Sequence, residues 1–442
     1  MKIRLSDHFH YGKLLRFTLP SIVMMIFTSI YSMVDGLFIS NFVGITPFAA
    51  INLIFPFIQI LSCIGFMIGA GGSALVSATL GAKDPARANS IFSLLTYFSI
   101  GIGIVIAAFG FVFIRPIAIW MGADANMLPY CVIYGRVLLL ALPFFMLQIL
   151  FQSFLVTAEK PTLGLVVTLI AGVANMVLDA LFIVVFRWEI VGAAAATASS
   201  QLLGGLIPLL YFCGKRNRLL RLGKTRFDGR ALLSTCTNGV SELVTNISMS
   251  VVSILYNFQL MRYAGENGVA AYGAVMYISF TFVAVFLGYS MGSAPVIGYH
   301  YGAQNHSELK SLFRKSNVII IGASVLLSAT AYVLAAPLAK LFVGDEPVLL
   351  EITHTAFRCY ALSVLFSGFS IFGSSFFTAL GNGFVSAAIS FLRTLLFQVA
   401  AVLILPIFWE LDGVWYSQFV AEILAMLVTI GFYRAKRSQY HY

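Results

Sequence analysis

The chain has 442 residues, 60% of them hydrophobic and only 10% charged, with a formal net charge of +10. Soluble globular proteins carry roughly 25% charged and about 45–50% apolar residues, so this composition excludes a soluble domain, a pair of them and a disordered chain. At roughly 20 apolar residues per membrane-spanning helix, the length accommodates about twelve spans, and the expected fold is an all-α integral membrane protein.

In chain order, the apolar runs predict spans over 15–40, 47–77, 90–114, 129–156, 162–186 and 191–213. A second set follows over 232–262, 268–298, 315–340, 350–379, 384–408 and 412–433. Their length and lack of polar alternation favour helices over barrel strands, which would read as alternating segments of about ten residues. The first run, Phe17 to Phe42, is too long for a signal-peptide core and no small-residue cleavage site follows it, so it is expected to remain as a span. The five cysteines (Cys63, Cys131, Cys213, Cys236 and Cys359) lie in or beside apolar runs without metal-like spacing and read as small hydrophobes.

Basic residues set the expected orientation. The side holding the N-terminus, the even-to-odd loops and the C-terminus carries 20 Lys and Arg, seven of them between Lys215 and Arg230. The opposite side carries four: Arg115, Arg187, Arg262 and Lys340. Both termini are therefore expected in the cytoplasm, and the net positive charge reflects topology rather than a nucleic-acid partner. Contact of the Lys215–Arg230 loop with lipid headgroups is the weaker alternative.

A shift of 221 residues superimposes the two halves. Gly44 meets Gly265, Gly71 meets Gly292, Gly81-Ala82 meets Gly302-Ala303, Pro116 meets Pro337, Thr157-Ala158 meets Thr378-Ala379 and Gly192 meets Gly413. Six spans per half is an even number, so both halves enter the membrane from the same side and form a parallel repeat. The expected organisation is an N-lobe over 1–213, a basic linker over 214–231 and a C-lobe over 232–442, each lobe with six helices. Two such lobes around a central cleft indicate a secondary transporter whose pathway one chain completes; a monomer is expected, although this leaves the oligomeric state open.

Ionisable groups inside spans cost at least about 2.5–3.5 kcal/mol each on insertion scales and face a cavity or a partner. Asn175 and Asp179 are four residues apart and share one face of span 5, which Thr168 and Gly172 extend. Thr197 and Gln201 repeat the spacing on span 6, and Asp35 lies deep in span 1 beside Thr28, Tyr31 and Ser32. Two carboxylates, an amide oxygen and a hydroxyl suit a small hard cation, and two crowded carboxyls in low dielectric can also carry a proton. The competing reading is a static ion pair with Arg136 or another buried base. On span 7, Glu242, Asn246, Ser250, Ser253 and Asn257 form a stripe that either lines a substrate path or bonds to neighbouring helices. Glu422 and Gln418 make a weaker pair on span 12, with Arg393 in span 11 available to neutralise an acid. Forty Phe, 19 Tyr and 14 Met offer surface for flat organic cations, although Phe is also ordinary lipid-facing material. No Walker A motif, zinc signature or nucleophile elbow occurs, so neither an ATP-driven pump nor an enzyme is expected.

At these residues the sequence resembles the multidrug and toxic compound extrusion (MATE) family over nearly the whole chain. The matching stretches are Pro20 with Asp35, Gly81-Ala82, and the run Lys160-Pro161…Asn175-Met176-Val177-Leu178-Asp179…Gly192-Ala193-Ala194-Ala195-Ala196-Thr197. The resemblance is to bacterial multidrug-efflux members. It implies two V-shaped lobes in the cell membrane that export lipophilic organic cations in exchange for Na⁺ or H⁺, with no other cofactor. Asp35, Asn175, Asp179 and Thr197 match the family's N-lobe cation site, which would hold Na⁺ in a sodium-coupled member. Glu242 falls where many relatives carry a functional glutamate. With Tyr31, Gln201, Asn246 and Asn257 it completes the expected substrate cavity. Some relatives have an aspartate in span 10; this chain has only Ser, Thr and Gly polarity around Ser370, which removes the basis for a second cation site. A major-facilitator transporter is a rival, but its basic loop is replaced here by Gly81-Ala82-Lys83-Asp84-Pro85-Ala86-Arg87. A lipid or lipid-linked precursor flippase would draw on Arg136, Arg358 and Arg393. A channel or receptor would need neither duplication nor a buried carboxylate pair.

Overall fold

The computed structural model describes residues 3–214, 219–344 and 346–442. Its regular elements are all helical: α1 (Tyr11–Phe42), α2 (Ile45–Gly81), α3 (Pro85–Trp120), α4 (Leu128–Thr157), α5 (Pro161–Asp179) and α6 (Glu189–Cys213) make the N-lobe. The C-lobe comprises α7 (Gly229–Gly302), α8 (His306–Val333), α9 (Ala335–Val343), α10 (Pro347–Ala379), α11 (Gly383–Phe391) and α12 (Gln398–Tyr440). A single π-helical turn follows α5 over Ala180–Val185, and another joins α11 to α12 over Leu392–Phe397. Among the described residues ten helical stretches are long and apolar enough to cross a membrane. Two of these are double. The stretch Gly229–Gly302 breaks at Gly265, where φ is +59°, and Gly383–Tyr440 breaks at Trp409-Glu410, where Glu410 has φ +47°. Twelve spans result, with the breaks where the sequence places loops 7–8 and 11–12.

Several helices start where a short polar side chain satisfies free N–H groups. Asp84 accepts from the amide of Arg87 with Pro85 opening α3, Asp228 accepts from Arg230 and Ala231 at α7, and Asn305 accepts from Glu308 at α8.

Backbone strain records the duplication independently of side-chain identity. Except for Arg187 and His441, the left-handed residues pair between the halves: Gly44 with Gly265, Lys83 with Gln304 and Glu189 with Glu410 at an offset of 221. Gly122 pairs with Gly344 and Glu159 with Gly381 at 222, so one extra residue enters the second half after position 304 and is removed again before 410, and the structure sets Thr157-Ala158 against Ala379-Leu380 rather than Thr378-Ala379. Trp188-Glu189 and Trp409-Glu410 thus make the same sharp turn in each lobe, a match that small-residue landmarks alone do not reveal.

The lobes meet closely on the side of the termini. A Cβ on Gly71 of α2 would collide with the backbone of Thr235 in α7, and one on Gly239 of α7 would collide with Met67 in α2. The repeat-related contact sets Thr18 of α1 against Gly292 of α7, 3.0 Å from the position of an added Cβ. On the two-fold-like axis itself, Gly81 lies against Tyr299 and Gly302 against Ala78. Without a hydrophobic driving force between helices in lipid, such backbone contact holds the lobes by dispersion and close packing.

Two leading segments cross between the lobes. Residues 3–10, which lead into α1, dock on the C-lobe: Leu5 and Phe9 are fully buried, and Glu308 of α8 accepts from the Phe9 amide (2.9 Å) and pairs with His8 (2.6 Å). The linker leading into α7 docks on α3 of the N-lobe. There Asn89 accepts from the Arg221 amide (2.7 Å), Ser93 accepts from Gly223 (3.1 Å), and Thr225 donates to the Ser90 carbonyl (2.8 Å). Residues 215–218 of the predicted basic linker lie outside the described residues.

Candidate cation site

The face of α5 turned toward α1 is shaped by Gly172, whose missing side chain admits the rings of Phe27 and Tyr31. This close approach carries Asp35, one turn beyond Tyr31, to the next polar turn of α5. There its carboxyl neighbours both Asp179 and the amide of Asn175. Asn175 is 2% exposed and Asp179 is fully buried. Asp179 ends α5 and precedes the π-helical turn, a local irregularity that recurs at functional sites because it re-aims side chains along a helix. From α6, Thr197 reaches Tyr134 of α4, which also faces the two aspartates.

The cluster is rich in acceptors that the protein leaves unmatched. Asp35 Oδ1, both carboxylate oxygens of Asp179 and Thr197 Oγ1 are buried with no hydrogen-bond partner among the described residues, as is the Asn175 Nδ2 donor; the amide oxygens of Gln148 and Gln201, elsewhere on α4 and α6, are unmatched too. Buried polar groups are otherwise almost always satisfied, and side-by-side carboxylates in a low-dielectric interior repel. A small cation or a shared proton removes both penalties. No group of three His, Cys, Asp or Glu side chains gathers among the described residues, so the donor set is oxygen from mixed chemical groups. It suits a hard cation rather than a soft metal.

The static ion-pair reading fails on geometry. Arg136 is exposed with its guanidinium over the Phe111 ring, 4.9 Å from the centroid, and Arg358 stands likewise over Tyr332 at 4.9 Å. Neither serves Asp35 or Asp179. Arg393 does neutralise an acid, but in the C-lobe: it grips Glu422 through Nε (2.9 Å) and Nη2 (2.8 Å). Arg393 belongs to the second π-helical turn, so each lobe places a buried charge at or beside such a turn.

The 221-residue offset shows what the C-lobe has in place of the cluster. Tyr256 stands at the counterpart of Asp35; it is 3% exposed, donates to Gln398 Oε1 (3.0 Å) and stacks on Tyr272 with centroids 5.2 Å apart. Glu422 occupies the counterpart of Gln201, and its charge is already met by Arg393. Among the described residues, the C-lobe counterparts of Asp35 and Gln201 thus offer no unmatched carboxylate.

The residues expected in a substrate cavity divide into two groups. Tyr31 neighbours Asp35 on α1, and Gln201 is buried on α6, one turn beyond Thr197. Glu242 lies on α7 close to Cys63 of α2, at the meeting of the lobes, and its carbonyl accepts from the Asn246 side chain (2.8 Å). Asn257 is exposed on the same side of α7 as Ile254 and Phe258. Sequence reading did not single out Tyr134 or Gln148. Both sit in apolar stretches of span 4, and only their helical register toward Thr197 and Gly204 relates them to the site.

A family model described as MatE matches residues 20–181 and again 243–403. The chain is 25% identical over 425 residues to the multidrug export protein MepA of Staphylococcus haemolyticus (strain JCSC1435), covering 94% of this chain and 92% of that protein. The MepA protein of Staphylococcus aureus (strain NCTC 8325 / PS 47) is 25% identical over 423 residues with the same coverage. Among solved structures, a MATE protein in complex with MaL6 superposes with a TM-score of 0.93 at 23% identity, covering 98% of this chain and 97% of that one. The outward-facing conformation of a multidrug resistance MATE transporter of the MOP superfamily gives 0.92 at 23% identity with the same coverage. One family model thus matches each half in turn and covers well over half of the chain, which therefore belongs to the MatE family, the multidrug and toxic compound extrusion transporters whose motifs it carries.

Proposed function

We propose that this protein exports lipophilic organic cations by antiport, with Na⁺ or H⁺ bound at Asp35, Asn175, Asp179 and Thr197 as the coupling ion. The observation that carries the reading is the set of buried acceptors in the N-lobe with no partner of their own. The names of the MepA relatives supply the multidrug substrate class, and the basic bias of the terminus side supports cytoplasmic termini in a bacterial cell membrane. The moving bodies are the two lobes, 1–213 and 232–442, joined by the 214–231 linker.

The sequence of events follows from the charges. With the cluster free of a cation, the repulsion between Asp35 and Asp179 favours separation of α1 from α5 and a cleft that accepts a cationic drug. Glu242, Asn246 and Asn257 of α7, together with Tyr31 and Gln201, contribute polar wall to that cleft. An entering Na⁺ or proton joins the two carboxyls, draws α1 against α5 and displaces the drug. Entry of one positive charge gains about 2.3 kcal/mol per 100 mV of membrane potential. A one-for-one exchange against a monovalent drug cancels this electrical gain and leaves the chemical gradient to drive export. Ethidium efflux from cells carrying Asp179→Asn tests the reading: efflux lost at unchanged protein abundance supports it, whereas parallel loss of folded protein assigns Asp179 to structure alone.

A further inference from the structure

Two surfaces on the terminus side are equivalent by the 221-residue offset, yet where Phe9 plugs one of them, the other has Arg230 beside a pocket. On the first, Phe9 of the leading segment lies against His300 of α7, with ring centroids 6.5 Å apart, and its amide is held by Glu308 of α8. On the second, α2, α3 and the start of α7 enclose a pocket of about 180 Å³. Position for position, Phe9 is replaced by Arg230, Glu308 by Arg87, and His300 by Thr79. The plugged surface therefore has a counterpart that is open and doubly basic.

Neither guanidinium in this pocket has an ion-pair partner among the described residues. The acids nearest in sequence, Asp84 and Asp228, each commit one carboxylate oxygen to helix-start amides and form no ion pair with either guanidinium among the described residues. Leu75 and Ile91 give the pocket an apolar wall, and Ser234 adds a hydroxyl beside the arginines. Arginine pairs recognise tetrahedral phosphate oxygens through their planar forks. Here the two forks stand at the membrane end of three spans, where headgroups lie.

We propose that this pocket binds the phosphate of an anionic phospholipid headgroup from the leaflet on the terminus side, clamped between Arg87 of the N-lobe and Arg230 at the start of the C-lobe. The apolar wall of Leu75 and Ile91 favours a lipid over a free ion, because it adds apolar contact that an inorganic anion could not use. The bound lipid ties α3 to α7 across the lobes, as Phe9 ties α1 to α8 on the other side.

The test is native mass spectrometry of the full chain in detergent, mixed with phosphatidylglycerol or phosphatidylcholine, for the wild type, Arg87→Gln/Arg230→Gln and Arg136→Gln. The expected result is selective retention of one phosphatidylglycerol by the wild type and by Arg136→Gln. Retention in the double variant should be weaker by about tenfold or more, as fits the loss of charge-assisted pairs, with an unchanged elution profile showing that it folds. Equal retention of both lipids by the wild type, or undiminished phosphatidylglycerol retention in the double variant, overturns the proposal. Displacement of the lipid by millimolar inorganic phosphate overturns the lipid assignment and makes free phosphate the occupant.

Discussion

Removing one member of the Arg393–Glu422 pair should destabilise the C-lobe far more than removing both. Glu422 has 1% and Arg393 16% of the side chain exposed, and the carboxylate receives three guanidinium contacts between 2.8 and 3.1 Å. Arg393→Met leaves an ionised or freshly protonated Glu422 without its partner among apolar groups, a change that costs about 3–5 kcal/mol where buried pairs have been broken. Arg393→Met/Glu422→Met replaces both with side chains of similar volume and should recover most of that loss, because the desolvation penalty disappears with the charge. Ordinary interhelical hydrogen bonds in membranes are worth only about 0.6 kcal/mol, so the two cases are well separated. Unfolding of micelle-embedded protein by a denaturing detergent, run as a double-mutant cycle, reads the difference. Single variants that lose no more than an ordinary hydrogen bond, or a double variant that loses the sum of the two, would show that the pair is not held as a buried, mutually compensating charge pair.

Other outcomes follow from the same geometry. Gly71→Val forces the added side chain into the Thr235 backbone and should part the lobes on the terminus side, so that Cys236 of α7 reacts faster with a maleimide in a Cys213→Ser background; unchanged labelling would count against close contact there. Tyr256→Phe deletes the hydrogen bond to buried Gln398 and should cost about 0.6 kcal/mol of stability, the scale of an interhelical bond in a membrane, while leaving the ion dependence of transport untouched. Glu308→Ala frees the Phe9 amide and His8, so hydrogen exchange at Phe9 should accelerate at least tenfold while exchange within α10 stays the same.

Much of this architecture is legible in the chain because the membrane imposes it. Twelve apolar runs and a parallel repeat follow from composition and spacing, and Asn175 and Asp179 declare a shared face through their four-residue interval. The partnership of these residues with Asp35 is legible only as chemistry, since nothing local in span 1 says that Gly172 lets α1 come close. Tyr134 was missed for the same reason: a lone tyrosine in an apolar helix gives no sign of which neighbour it meets. Arg136 misleads in the opposite sense. Its position inside a span suggests a buried ion pair, but the guanidinium lies outward over Phe111, where the side chain can reach toward the headgroups. The crossing of residues 3–10 onto α8 is also invisible in sequence, because Leu5 and Phe9 find their apolar surroundings in the other lobe.

The most direct test of antiport uses the purified protein in liposomes, following ethidium under an imposed Na⁺ gradient and then a pH gradient, with Asp179→Asn alongside. Movement driven by one of the two gradients and lost in the variant is expected, and it also names the coupling ion. Ethidium movement that ignores both gradients, or that persists in Asp179→Asn, would contradict cation-coupled export through the N-lobe cluster.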